Sequence, residues 1–196
     1  ETGMTFAAAL RSILRADPDV VLIGEIRDQE TANIAIEASL TGHLVLSTLH
    51  TNDAPSAVTR LTEMGVEPFL LSSSLAAVMA QRLARRLCKK CKRQDTATEA
   101  ELRTLGVPHM PDTPLPTIWR PVGCRECANT GYSGRVAIQQ VMGVDSTMED
   151  LIARGATSID IDKAAKEQGM TTLRKDGWQK ALQGITSVEE VLRVTV

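Results

Sequence analysis

The chain has 196 residues, of which 43% are hydrophobic and 23% charged, and its formal net charge is -2. This composition fits a globular protein of one large or two small domains, and it gives no global argument for binding nucleic acid or a membrane. No apolar run approaches the roughly 20 residues that span a bilayer, and no signal peptide is visible, so the sequence favours the cytoplasm. Because the chain opens on Glu1 and not on Met, we expect a fragment that begins inside a domain.

The first stretch predicts a helix and then a strand. Apolar residues recur at helical spacing over residues 5–15, and Pro18 ends this helix. Four branched apolar residues at 20–23 indicate a strand covered on both faces, as in parallel sheets. Glu25 follows this strand, where open α/β sheets bind ligands. This is the layout of a Walker B element, although a charged residue at a strand end is also common without such a role.

The next elements repeat the pattern. A helix over residues 29–41 and a second apolar strand over 44–48 complete a strand–helix–strand unit. Since the polar residues after both strands fall on the same edge of a parallel sheet, we expect His50 to lie near Glu25. There His50 is suited to hydrogen-bond a terminal phosphate, whereas His43, at the strand entry, is more simply satisfied by backbone.

Further helices are predicted along the chain. One runs over residues 55–64, and a longer one begins at Pro68 and reaches about Leu87. Its end opens a basic stretch at 82–93, for which a solvated helix end is the simplest interpretation, and contact with acidic lipid headgroups or a neighbouring subunit is the alternative. A helix at 99–105, a strand at 135–142 and several short helices follow. One short helix opens with a capping box, Ser187-Val188-Glu189-Glu190.

The four cysteines of the chain form two pairs with the spacing of zinc knuckles. Cys88 and Cys91 make the first pair, and Cys124 and Cys127 make the second. A two-residue spacer lets both thiolates of a knuckle reach one ion, and two knuckles complete a tetrahedral four-sulfur shell. Such a shell leaves no open position, so the metal is expected to be structural. Redox chemistry or free thiols are the alternatives, and disulfides are disfavoured in a cytosolic chain.

Several motifs together carry a family resemblance. Residues 5–19 lead into 24–28 (GEIRD), which is similar to a Walker B element, and 41–52 is similar to a His box. Residues 81–83 (QRL) precede the first cysteine pair, and 130–135 (TGYSGR) follow the second. Over essentially its whole length, the chain resembles the secretion-superfamily ATPases of type II secretion and type IV pilus assembly, the GspE/PilB group. The paired cysteines are typical of its assembly and secretion members.

The resemblance implies an α/β fold in three parts. These are the C-terminal part of a RecA-like P-loop ATPase core with a parallel sheet at 1–87, a four-cysteine zinc subdomain at 88–134, and a mainly helical subdomain at 135–196. Glu25 matches the catalytic glutamate. The positions implied at the nucleotide site or a subunit interface are Arg11, Arg15, Arg27, His43, Thr48 and His50. From the residues alone, Arg11 and Arg15, four apart, fit a solvated helix face as well.

The resemblance also implies ATP and Mg²⁺ as cofactors of the full-length protein, besides structural Zn²⁺. It implies a homo-hexameric ring that works with an inner-membrane platform protein, peripheral to the inner membrane and without nucleic acid. The chain holds no GxxxxGK[ST] loop and no Gly-Lys dipeptide. Without this Walker A loop to cradle the phosphates, the fragment is expected to be inactive alone.

One hypothesis from another class is a non-enzymatic, zinc-stabilised interaction module. It would bind a protein or nucleic-acid partner through the basic stretch 82–93. The near-neutral net charge and the 3% aromatic content argue against nucleic acid. A strand that delivers Glu25 to a sheet edge favours the ATPase.

Overall fold

The computed structural model describes residues 3–195, so the predictions that reach residues 1–2 and 196 lie outside the described range. The chain forms two compact units, each built from two separated segments. The first comprises Glu1–Met79 and Val141–Met170, and the second comprises Ala80–Gln140 and Thr171–Val196. These units differ in outline from the three consecutive parts that the motifs suggest.

The first unit contains a parallel strand pair and most of the helices. The elements are α1 (Phe6–Leu14), β1 (Val20–Ile23), α2 (Gln29–Leu40), β2 (Leu44–Ser47), α3 (Pro55–Glu63), α4 (Pro68–Ser74), α6 (Ser146–Ala153) and α7 (Ser158–Glu167). Helix α4 packs against α6, and α3 packs against α7. The Thr5 and Asp28 side chains cap α1 and α2 by accepting backbone N–H bonds.

The predicted strand–helix–strand unit is confirmed. Strand β1 pairs with β2 in parallel, with Val20 opposite Leu44 and Ile23 opposite Ser47. Val21 and Ile23 are buried at 5% and 2% exposure, and α2 packs against β2. A parallel pair joined by a helix therefore sets which polar residues meet at its edge.

The expectation that this strand is covered on both faces is wrong for this chain. Four large apolar side chains lie open on one face of the strand pair, with exposures of 49–74% (Val20, Leu22, Leu44 and Leu46). Alternate residues of a strand point to opposite faces, so the helices that bury Val21 and Ile23 leave this set uncovered.

The second unit is built from antiparallel strands, short helices and the cysteines. Its elements are most of β3 (Ala77–Leu87) and β6 (Tyr132–Gly143), with β4 (Arg93–Thr96), α5 (Glu99–Leu105), β5 (Thr117–Arg120), a 3₁₀ turn at Arg125–Cys127, α8 (Leu173–Leu182) and α9 (Val188–Val194). Strand β3 pairs with β6, and β4 pairs antiparallel with β5. Its core includes Leu102, Ile118, Ile138, Trp178 and Val191.

The predicted helix from Pro68 to Leu87 is wrong in its second half. Helix α4 ends at Ser74, and β3 follows. The helical pattern placed Met79 and Leu83 on a buried face, but these side chains are 60% and 51% exposed, while Ala84 is fully buried. Ala, Leu, Arg and Gln favour helices in isolation, and here pairing with β6 overrides that preference.

The described helices include none that is both long and apolar enough to cross a bilayer. The longest, α2, has 12 residues.

Candidate functional site

The loops after β1 and β2 are bonded to each other. The Ile26 N–H donates to the Thr48 carbonyl at 3.0 Å, and the Thr48 hydroxyl donates to the Gly24 carbonyl at 2.6 Å. These bonds hold Glu25 beside the end of the neighbouring strand. Thr48 thus has a positioning role in the loop geometry.

The structure brings Glu25, Arg27 and His50 together, as the strand order predicts. Arg27 Nε lies 2.6 Å from Glu25 Oε2, and His50 Nε2 lies 3.1 Å from the same oxygen. The hydrogen bond from Arg27 lowers the pKa of Glu25, burial opposes this, and His50 adds to the lowering. Glu25 is therefore an ionised carboxylate at neutral pH.

This cluster is open to solvent. The side chains of Arg27 and His50 are 71% and 85% exposed, and that of Glu25 is 34% exposed. The closest contacts of Glu25 with Arg27 and His50 both use Oε2. The other carboxylate oxygen, Oε1, can accept a proton or a hydrogen bond from water.

Arg15 and His43 do not join this cluster. His43 precedes β2 whereas Glu25 follows β1, so in a parallel pair they lie at opposite edges of the strands. His43 Nδ1 contacts the Ala38 carbonyl at 3.0 Å, whereas its Nε2 is buried with no hydrogen-bond partner in the part of the chain that the structure describes. The backbone therefore satisfies only one ring nitrogen of this strand-entry histidine. A cleft of about 300 Å³ at this edge is lined by Arg11, Leu14, Arg15, Ile34, Glu37, Ala38, Thr41 and His43.

The two arginines of α1 have different contacts. Arg11 Nη2 donates to Glu30 Oε1 at 2.8 Å, across to the first turn of α2. Arg15 Nη2 donates to the Ser12 hydroxyl at 3.1 Å. Neither arginine contacts Glu25 here. Of the predicted nucleotide-site or interface residues, Arg27, Thr48 and His50 lie at the same edge of the strand pair as Glu25, while Arg15 and His43 do not.

The four cysteines converge on one point. Their Sγ atoms all lie within 4.8 Å of one another. Three of the pairs are separated by 3.7, 3.8 and 3.9 Å (Cys124–Cys127, Cys91–Cys127 and Cys88–Cys124). Sulfurs at 2.3 Å from one tetrahedral ion lie about 3.8 Å apart, and a disulfide would bring them to about 2 Å. The cluster therefore has the dimensions of a tetrahedral four-sulfur metal site.

Backbone N–H groups reach two of these sulfurs. Cys127 Sγ accepts from the N–H groups of Cys124 and Gly131 at 3.2 and 3.3 Å, and Cys91 Sγ accepts from Gly123 at 3.3 Å. Burial raises the pKa of Cys127, but its N–H donors outweigh burial and lower that pKa to about 6. Burial raises the pKa of Cys91 to about 11, against the Gly123 N–H. A metal that binds here must displace a proton from Cys91.

A lysine connects the first knuckle to the turn between α8 and α9. Lys92 Nζ donates to the Gly184 carbonyl at 2.7 Å and lies 4.4 Å from the centre of the Trp119 ring. Gly184 has φ +65°, and a Cβ there would lie 2.6 Å from the indole. Glycine is thus required by both backbone conformation and space.

The buried carboxylate of Glu190 was not singled out by the sequence. Its side chain is 1% exposed, and it bonds to the guanidinium groups of Arg85 and Arg193 and to the Arg85 N–H. Burial raises the pKa of Glu190, but its three charged and polar donors outweigh burial and lower it to about 2. The capping box was the only sequence signal. Ser187 does cap α9, while Glu190 turns to the arginines.

The basic stretch 82–93 is partly used within the chain. Arg85 pairs with Glu190 and stacks 4.1 Å from the Tyr132 ring centre, and Lys92 is held by Gly184 and Trp119. Two of its cations thus serve the interior of the second unit. This weakens the hypothesis of an interaction module that uses the whole stretch.

Solved structures show which class of protein has this fold. The pilus retraction motor PilT with bound ADP aligns with a TM-score of 0.67 at 24% identity, covering 99% of this chain and 44% of that one. The ATPase DotB of Legionella pneumophila aligns with a TM-score of 0.64 at 22% identity, covering 97% of this chain and 42% of that one. The chain has the α/β fold of the corresponding part of these ATPases.

Sequence comparison then gives the family. The family described as "Type II/IV secretion system protein" matches residues 1–193, and the chain belongs to it. Type II secretion system protein E of Aeromonas hydrophila is 52% identical over 195 residues, covering all of this chain and 38% of its own length. The type IV pilus assembly ATPase PilB of Thermus thermophilus is 50% identical over 196 residues, 22% of its length. The chain spans only about a fifth to two fifths of such relatives.

Proposed function

We propose that this chain is the C-terminal part of an ATP-hydrolysing motor that energises type II protein secretion or type IV pilus assembly. The observation that carries the proposal is the Glu25 carboxylate at the end of β1, 3.1 Å from His50 of the neighbouring strand. It occurs in a chain about half identical, over its whole length, to proteins with these names.

Glu25 is the catalytic residue of the proposal. Because Arg27 lowers the pKa of Glu25, the side chain is a charged carboxylate. This carboxylate can orient an attacking water and accept a proton from it in the transition state. We assign that water to Oε1, because the closest contacts with Arg27 and His50 use Oε2. His50 restrains Oε2 and is placed to sense a terminal phosphate.

When bound, ATP would supply the phosphoryl group, and Mg²⁺ would neutralise the negative charge of the phosphates. The residues on this edge fit an oxygen-preferring cation, since Glu25 offers a carboxylate and Thr48 a hydroxyl. No glycine-rich phosphate loop occurs in the sequence, so the phosphates must be held by residues outside it. The chain alone is therefore expected not to turn over ATP.

The remaining roles follow from the same proposal. The longer protein works as a hexameric ring at the cytoplasmic face of the inner membrane, against a membrane platform protein. Arg11, Arg15 and His43, which line one cleft, contribute at a contact between subunits. The cysteines hold structural Zn²⁺ in a subdomain at 88–134, between the ATPase part at 1–87 and the helical part at 135–196.

The test is ATP turnover by the full-length protein with Glu25→Gln. The amide keeps the shape of the side chain but cannot accept the proton, so we expect turnover to fall by about 10²- to 10⁴-fold with unchanged thermal unfolding. Glu167→Gln, at an exposed position on α7, is the matched control and should keep full turnover. Unchanged turnover in Glu25→Gln would contradict the assignment.

A further inference from the structure

The four sulfurs of the cysteine cluster do not have equal hydrogen bonding. Cys127 accepts two backbone N–H groups and Cys91 accepts one. Among residues 3–195, no N–H group donates to the sulfur of Cys88 or of Cys124. In a metal-bound centre all four sulfurs are thiolates, so hydrogen bonding and access, and not protonation, distinguish their nucleophilicity.

The four cysteine residues also differ in exposure. Cys88 and Cys127 are buried, at 3% and 6% exposure, whereas Cys91 and Cys124 are partly exposed. The exposed pair differs in that Cys91 accepts the Gly123 N–H, while Cys124 accepts none. Cys124 is therefore the partly exposed cysteine whose thiolate would have no N–H donor among residues 3–195 to withdraw electron density from its sulfur.

Two glycines build this asymmetry into the backbone. Gly123 has φ +113°, and a Cβ there would lie 2.8 Å from the Asn129 carbonyl oxygen. Gly131 has φ +78°, and a Cβ there would lie 2.4 Å from Pro121 Cβ. The N–H groups of Gly123 and Gly131, which donate to Cys91 and Cys127, are thus held where only glycine fits. The fold therefore determines which sulfurs have N–H donors.

We propose that Cys124 is a modification site, the thiolate at which soft electrophiles and hydroperoxides first attack the metal centre. This inference rests on the zinc assignment above and is independent of the ATPase assignment. Susceptibility to such reagents follows thiolate character and exposure, and Cys124 has both. The consequence is that metal loss begins at one defined ligand.

With a hydroperoxide, the chemistry has two steps. The Cys124 thiolate attacks the distal peroxide oxygen, so that an S–O bond forms, the O–O bond breaks, and alkoxide or hydroxide leaves to take up a proton. A second thiolate then attacks the sulfenic sulfur, so that an S–S bond forms and hydroxide leaves. Cys127 and Cys88, at 3.7 and 3.9 Å, are both within reach for this step. Two ligands are consumed and the peroxide is reduced by two electrons, which releases the metal.

The test uses the zinc-loaded full-length protein and less than one equivalent of N-ethylmaleimide. Metal analysis first establishes that one zinc is bound per chain. Peptide mapping by mass spectrometry should then show Cys124 labelled several-fold more than Cys91. The amount of zinc released, measured with a chromogenic chelator, should rise in proportion to the labelling of Cys124. Dilute hydrogen peroxide should give a disulfide that contains Cys124.

A matched pair of variants checks the assignment. Cys124→His and Cys91→His each replace one sulfur by a nitrogen that zinc accepts as a ligand. Zinc release by the reagent should slow several-fold in Cys124→His and stay fast in Cys91→His. Equal labelling of the two exposed cysteines in the unmodified protein, or preference for Cys91, overturns the proposal even if the variants bind zinc poorly. A protein without zinc would instead overturn the zinc assignment and this inference with it.

Discussion

The two chemical centres of this chain differ in how much of their surroundings the chain supplies. Around Glu25, the contacting side chains of Arg27 and His50 are 71% and 85% exposed. Around the cysteines, two of the four residues are buried and three backbone N–H groups donate to the sulfurs. The cysteine centre is thus largely enclosed by its own chain, whereas the Glu25 centre is open to solvent.

The buried carboxylate of Glu190 belongs to the enclosed kind. It has three donors from its own unit and almost no exposed surface. Glu25 also pairs with an arginine, yet water reaches the pair. The Glu190 carboxylate is 1% exposed and that of Glu25 is 34% exposed, so we expect the arginine pairs of Glu190 to contribute more to stability, because solvent screens the Glu25 pair more strongly.

The largest expected effect is that metal removal destabilises the second unit much more than the first. Structural zinc sites contribute about 10–16 kcal/mol of apparent binding energy at neutral pH, and this energy is coupled to folding. We expect a strong chelator to abolish hydrogen-exchange protection in Ala80–Gln140 and Thr171–Val196, with the first unit affected far less. Hydrogen exchange read by mass spectrometry, before and after chelation, measures both units in one sample.

The pH dependence of this effect has a defined sign. Since a proton must leave Cys91, whose pKa is raised to about 11, zinc should bind more weakly as pH falls. A purified chain that holds no zinc and keeps full protection would contradict the structural role.

Replacing Glu190 by Gln should have the next largest effect. A carboxyl pKa of about 2 against an ordinary 4.5 corresponds to about 3 kcal/mol of stability at neutral pH. Because the folded pKa is the lower one, this contribution is present above pH 4.5 and is lost as pH falls towards 2. Urea unfolding of both proteins should therefore show a difference that shrinks over that window.

The control for this variant is Glu99→Gln, an exposed glutamate of α5 in the same unit. Its effect is expected to stay within about 0.5 kcal/mol at every pH. A Glu190→Gln protein as stable as the original at pH 7 would show that the arginines find equivalent partners without the charge.

The smallest effect is expected for Leu22→Lys on the open face of the strand pair. At 74% exposure, the side chain has few contacts to lose, so the stability of the 196-residue chain should change by less than about 0.5 kcal/mol. In the longer protein, where we expect this face to be covered, the same change should cost about 2 kcal/mol. Thermal or urea unfolding of both forms measures the contrast.

Ile159→Lys is the matched control, because Ile159 is 78% exposed on α7 of the same unit. It should be neutral in both forms. If Leu22→Lys is as harmless as Ile159→Lys in the longer protein, the face is not an internal surface there.

The strand–helix–strand unit and the cysteine cluster were predictable because their signals are local. A branched apolar run followed by Glu25 and a second strand before His50 leave few alternatives once the strands are parallel. Two knuckles with two-residue spacers likewise determine their own geometry.

Strand β3 and Glu190 were not predictable because their signals are not local. The sequence of β3 reads as a helix until its pairing with β6 is known. Glu190 and Arg85 are 105 residues apart in sequence, and nothing near either one indicates the other. The open face of β1 and β2 was missed for a different reason, since an apolar run in a strand does not show whether the element that would cover it lies in the same chain.

The contact between Lys92 and Gly184 joins positions that are 92 residues apart. A Cβ at position 184 would lie 2.6 Å from the Trp119 indole, which stacks with Lys92, so the ring would have to move. Gly184, Trp119 and Lys92 therefore depend on one another. We expect a substitution at any one of these positions to be accepted in evolution only together with changes at the other two.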